Sequence, residues 1–131
     1  MTGQVRLAEL QLAIMSVLWD EGEATVAQVR EALEAADRPL AHTTIATMLS
    51  RMETEGHLEH RSEGRANIYR PLLHRDAVSR EMVSDLASRL FGGDVTQMVA
   101  HLLADSDVTP EEIARLKKLV RDKEKEVKDG Q

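Results

Sequence analysis

Apolar residues fall at Leu7, Leu10, Ile14, Val17 and Leu18, a spacing that lines one face of a helix. Glu21-Gly22-Glu23 ends this stripe. Thr25-Val26-Ala27-Gln28 follows, a hydroxyl residue with Gln three positions on, which is a capping box. It opens a second helix marked by Val26, Val29 and Leu33, and Pro39 interrupts the pattern. A third helix is predicted to start near Thr43, with Ile45, Met48, Leu49 and Met52 on its inner face and Gly56 as the left-handed residue at its end. The period then changes. Residues 57–61 and 66–70 are short strand-like runs on either side of Ser62-Glu63-Gly64-Arg65, which reads as a β-hairpin closed by Pro71. Three helices followed by a two-stranded hairpin is the element order of a winged helix-turn-helix.

The second half is helical throughout. Val78, Met82, Val83, Leu86 and Leu90 form a stripe that stops at Gly92-Gly93, and Val95, Met98, Val99, Leu102 and Leu103 form another. Thr109-Pro110-Glu111-Glu112 is a helix start, with Thr as N-cap and Pro in the first position. Ile113, Leu116, Leu119 and Val120 then share a face, and the charged run from Arg121 to Gln131 is expected to fray. The chain thus divides into a winged helix-turn-helix domain, 1–73, and a helical region, 74–131. The fold class is mainly α with a small β-hairpin wing.

Three short helices cannot enclose a core alone. Their apolar faces must fold back on the first half or meet a second copy, and a two-fold homodimer is the commonest outcome for such a surface. On that expectation Met82, Leu86, Leu90, Val99, Leu102, Leu103, Leu116 and Leu119 build a dimerisation region.

Composition narrows the chemistry. The 131 residues are 42% apolar and 31% charged, an ordinary globular balance. There is no cysteine, which excludes disulfides, thiolate catalysis and cysteine-ligated metal. No apolar run reaches the ~18–20 residues of a membrane helix, and no secretory signal is visible. A cytoplasmic protein without direct membrane association is expected. Three aromatics, Trp19, Tyr69 and Phe91, are too few for a base-stacking platform. The net charge of −6 excludes a globally basic nucleic-acid binder. Residues 42–75 differ from the whole, with five arginines against four glutamates and four of the five histidines. Any attraction for phosphate must come from there.

The third helix carries that stretch's chemistry. Opposite its inner face sit Thr43, Thr44, Thr47, Ser50 and Arg51. Thr44, Thr47 and Arg51 share a surface at i, i+3 and i+7. Short hydroxyl side chains let a helix sit close to base edges, threonine methyls can meet thymine methyls, and an arginine can pair with guanine or phosphate. The N–H of Thr43, at the helix start, can face a phosphate. The same residues would also serve merely to solvate an exposed face. The hairpin behind them favours the reading surface: Arg61 and Arg65 flank its tip, where a wing meets the sugar-phosphate backbone, and Asn67 adds a polar group. The methionines on apolar stripes are core fillers, and Trp19 is a packing anchor. His57, His60, Glu59 and Glu63 fit no zinc spacing, and no phosphate loop or nucleophile elbow is present, so neither an enzyme nor a cofactor or metal is expected. A winged helix that binds a protein partner is the alternative.

These residues carry a family resemblance. Ala41-His42-Thr43-Thr44-Ile45-Ala46-Thr47-Met48-Leu49-Ser50-Arg51-Met52 resembles the recognition helix of the penicillinase-repressor family (the BlaI/MecI/CopY type). Glu63-Gly64-Arg65-Ala66 through Tyr69-Arg70-Pro71 is similar to its wing. Leu7-Ala8-Glu9-Leu10 through Val17-Leu18-Trp19 is similar to its first helix, and Thr25-Val26 through Val29 to the start of its second. The likeness covers residues 7 to about 120. It implies a homodimeric bacterial repressor that reads a double-stranded, inverted-repeat operator, with Thr43, Thr44, Thr47 and Arg51 facing the groove and Arg65 in the wing. Two departures stand out. Where members commonly carry lysines before the glycine that ends the recognition helix, this chain has Glu53-Thr54-Glu55-Gly56. Glu55 lies only ~40° round the helix from Arg51, and acid there repels phosphate. The cysteine motif of copper-responsive members is missing. β-Lactam-responsive members are cut by a membrane-bound sensor protease. The corresponding stretch here, Ala100-His101-Leu102, with His101 and Leu102 in the place of the cleaved pair, lacks the Asn-Phe of the best-known members.

Overall fold

The structure is a computed structural model, and it describes residues 7–130. The first six residues, where the secretory-signal reading falls, and Gln131 of the charged tail lie outside them. Six helices and three strands run in the order α1 (Glu9–Glu21), β1 (Ala24–Thr25), α2 (Val26–Ala35), α3 (His42–Thr54), β2 (Leu58–Glu63), β3 (Ala66–Pro71), α4 (Arg75–Phe91), α5 (Val95–Asp105) and α6 (Pro110–Asp129). The chain divides into two compact units, the first ending at Asp85 and the second starting at Leu86. The division falls inside α4, twelve residues beyond the predicted 73/74 boundary.

The first unit is the winged helix. Its core is Ile14, Met15 and Leu18 of α1, Val29 and Leu33 of α2, and Ile45, Leu49 and Met52 of α3. Leu58 and Tyr69 of the sheet and Ala24 of β1 close it. The expected stripes supply most of it, with Leu7, Leu10, Val17, Val26 and Met48 partly buried at its edge and Met15 added to it, since apolar area withdrawn from water stabilises by about 25 cal/mol per Å². The capping box forms as expected: Gln28 N–H donates to Thr25 Oγ1, and Thr25 N–H donates to Gln28 Oε1 at 2.8 Å. α3 starts one residue earlier than predicted, at His42. It ends at Gly56, whose φ is +87°. There Gly56 N–H reaches the Glu53 carbonyl and His57 N–H the Met52 carbonyl, both at 3.0 Å, which is a Schellman closure.

The hairpin is tighter than the sequence suggested. Glu63 pairs with Ala66, leaving only Gly64 and Arg65 in the turn. Gly64 has φ +63°, and Arg65 has no positive φ, the arrangement of a type II′ turn. β1 was not predicted. Its two residues pair antiparallel with β3, Ala24 opposite Tyr69 and Thr25 opposite Ile68, giving a three-stranded sheet in the order β1-β3-β2. Trp19 is the expected anchor: its Nε1–H donates to the Leu73 carbonyl at 2.9 Å, and the Arg75 guanidinium lies over its ring.

The second unit has a different character. Beyond Ala87, none of its described residues is buried. Asp94 caps α5 through the N–H groups of Thr96 and Gln97, and Thr109 caps α6 through Glu112 N–H at 3.1 Å. α6 runs on through the charged segment to Asp129, with Lys118–Asp122 and Lys123–Glu126 pairs along its flank. Such pairs and good helix formers sustain a polar helix end.

Truncating the centre of the first unit tests this core: Leu49→Ala should lower unfolding free energy by about 2–5 kcal/mol in urea titrations followed by circular dichroism. Trp19→Phe should lose about 1 kcal/mol.

Candidate nucleic-acid interface

Burial of Ile45, Leu49 and Met52 turns the opposite face of α3 outward. Thr43, Thr44, Thr47, Ser50 and Arg51 are all exposed on it. They line two adjoining shallow depressions. One is bounded by Thr43, Thr44, Thr47, Met48 and Arg51, the other by Ala46, Thr47, Ser50, Arg51 and Thr54. The five predicted residues of this helix therefore come together. Thr54 belongs with them and was missed, although its position seven residues after Thr47 signalled it. Its hydroxyl donates to the Ser50 carbonyl at 3.2 Å. Ala41, the N-cap of α3, provides no side-chain cap, so among the described residues the first-turn N–H groups are left without one at the positive end of the helix dipole.

The wing residues separate into two kinds. Arg65 occupies the turn, exposed. Among the described residues, neither it nor Arg51 has a hydrogen-bond or ion-pair partner. Asn67, opposite Ser62 in the ladder, accepts the Ser62 hydroxyl at 2.9 Å. Arg61 lies farther back, opposite Ile68. Its Nη1 and Nη2 donate to the two carboxylate oxygens of Glu23 at 2.9 and 3.0 Å, and its Nε and Nη2 donate to Glu63 at 3.2 and 2.8 Å. The hydrogen bond from Arg61 holds the Glu23 carboxyl below its ordinary pKa. Arg70 pairs with Glu59 in the same sheet.

The acids that break the family pattern are tethered to the scaffold. Glu53 lies 2.6 Å from His60 Nδ1 on β2. Glu55 accepts from Gln11 Nε2 of α1 at 3.2 Å and stands 3.9 Å from His57. Gln11 also accepts the Ala8 N–H at the start of α1. The two glutamates thus sit on opposite flanks of α3, one toward the sheet and one toward α1. The histidines of this region serve as their partners, and among the described residues no cluster of three or more His, Asp or Glu is placed to hold a metal ion.

In the second unit the predicted dimerisation residues lie open. Leu86, Leu90, Val99, Leu102, Leu103, Leu116 and Leu119 are all exposed, Leu90 and Leu119 by about two thirds, and Met82 is exposed in the first unit. Val99, Leu103, Val108, Ile113, Leu116 and Val120 line an open apolar groove of about 740 Å³. His101 and Leu102 lie within regular helix α5, the His101 ring 5.3 Å from that of Phe91.

A helix with a buried apolar stripe and an outward hydroxyl and arginine face, backed by a turned wing, is the architecture of a winged-helix DNA-binding domain. Comparison with known proteins gives the family. The penicillinase repressor family model matches residues 7–122. The chain is 25% identical over 117 residues to the penicillinase repressor of Bacillus licheniformis, covering 89% of this chain and 91% of that one. It is 37% identical over 100 residues to the transcriptional regulator BlaI of Mycobacterium tuberculosis, covering 75% and 72%. It also resembles the solution structure of the DNA-binding domain of the repressor BlaI, with a TM-score of 0.50, 27% identity and coverage of 59% of this chain and 93% of that one. This chain belongs to the penicillinase-repressor family.

The Glu23–Arg61 pair sets a pH signature. Because the folded pKa of Glu23 lies below its ordinary 4.5, its stabilising contribution is present above that value and is lost as pH falls through the lower folded one. The difference in urea midpoint between the native chain and Glu23→Gln should stay constant above that ordinary value and shrink below it.

Proposed function

We propose that this repressor binds a double-stranded, inverted-repeat operator as a homodimer in the cytoplasm. α3 enters the major groove of each half-site and the wing meets the adjacent backbone. The observation that carries this reading is that Arg51, amid the hydroxyls of Thr43, Thr44, Thr47 and Ser50, and Arg65 at the wing turn are both exposed with no partner among the described residues. Arg51 reads a base or fixes a phosphate. The threonines fit close to base edges, and Thr54, Asn67 and the open N–H groups of the first turn of α3 add polar contacts. The exposed leucines and valines of α4, α5 and α6 form the dimer surface, which supports the reading because so much apolar area is not left in water. Dimerisation makes the second half-site contact nearly intramolecular, so cutting the second unit would release DNA. A sensor protease acting at His101-Leu102 would require α5 to open locally first.

Fluorescence anisotropy with a labelled duplex from upstream of its own gene, at two salt concentrations with excess non-specific competitor, tests the reading. Binding should survive competitor and weaken steeply with salt as counterions are released. Arg51→Ala should lose about 1–3 kcal/mol per protomer of operator binding, whereas Arg65→Ala should weaken all sequences alike and lower the salt slope by about one per protomer. Unchanged operator affinity in Arg51→Ala would refute the assignment of α3.

Leu102→Asp should shift the chain toward monomer in sedimentation, because an unpaired charge is put into an apolar interface, and should weaken operator binding in parallel.

A further inference from the structure

We propose that Arg61 is a positioning residue and not a phosphate contact: clamped by Glu23 and Glu63, it fixes the wing against the root of the sheet and so sets where Arg65 meets DNA. The proposal rests on the DNA-binding reading above and assigns one residue within it. Glu23 lies between Gly22, where φ is +84°, and β1. Arg61 lies on β2, and β3 runs between those two strands. Thr25, Ile68 and Arg61 stand in one row across the sheet. The carboxylate of Glu23 therefore reaches across β3 to hold the far strand. The contact is fork to fork, both guanidinium ends on both oxygens, and Glu63 takes the remaining side. Four hydrogen bonds engage a group with five N–H donors.

Charge argues the same way. One arginine between two carboxylates leaves the cluster at −1, so an approaching phosphate meets net repulsion there. Arg65, beyond Glu63 in the turn, has no such neighbour bonded to it. A two-stranded ribbon is marginal by itself. This one is tied at its root by the short β1 pairing and by the clamp, while its turn projects free. An isolated exposed ion pair does little, but a bidentate pair within a network holds geometry.

The test pairs operator binding with hydrogen exchange on the full chain. Glu23→Gln and Arg61→Gln should each weaken binding to the duplex used above, by up to about fivefold per protomer, with the salt slope unchanged. Amide exchange across 58–71, which needs no DNA, should quicken in both. Arg61→Lys, which keeps the charge but cannot form the fork, should behave as they do. The charge-swapped variant Glu23→Arg/Arg61→Glu should recover both affinity and protection. Tighter binding by Glu23→Gln, or a salt slope lowered by about one in Arg61→Gln, would make Arg61 a phosphate contact that Glu23 restrains and would overturn the proposal. Unchanged exchange would overturn it too. If the native chain itself fails to distinguish the duplex from competitor, the DNA reading fails, and hydrogen exchange alone then decides the clamp.

Discussion

Everything in the first unit depends on how α3 is seated. Ile45, Leu49 and Met52 are fully buried against α1, α2 and the sheet, and that burial fixes the rotation of the helix about its own axis. A rotation of one residue would turn Arg51 and Thr47 by about 100° and bring a polar side chain into the core. The outward face is therefore specified by its opposite: apolar packing decides which hydroxyls and which arginine meet solvent. The Schellman closure at Gly56 ends the helix and delivers the chain directly into β2, so helix and wing share one frame.

An acidic chain that binds a polyanion must arrange its charge locally. Here most acids near the interface are occupied. Glu53 faces His60, Glu55 faces Gln11, Glu23 and Glu63 take Arg61, and Glu59 takes Arg70. Among the described residues, Arg51 and Arg65 have no such partner, one on α3 and one at the turn. The net charge of −6 misrepresents the surface that matters, because attraction to phosphate is set within roughly a Debye length of about 8–10 Å.

The second unit inverts the logic of the first. Its helices are well capped and regular, yet within the single chain their apolar stripes are exposed. Caps and propensity make helices, but only packing makes a core. In the homodimer proposed above, self-association and stability would be linked through concentration.

The sequence by itself determined the helices, the buried stripes of the first three, the hairpin and the five-residue outward face of α3. Each is a local pattern whose period or capping chemistry sits within a few neighbouring positions. It also carried the family resemblance that the comparison bears out. Only the tertiary structure decided the rest. β1 is two residues long, too short for any period, and exists because β3 lies beside it. The fork between Glu23 and Arg61 joins residues 38 positions apart, a pairing that no local pattern announces. Glu53 and Glu55 read as repulsive in a helical projection and prove tethered to opposite flanks, because their partners come from β2 and α1. A side chain's type is written locally, but whether its charge is free depends on what the fold brings against it.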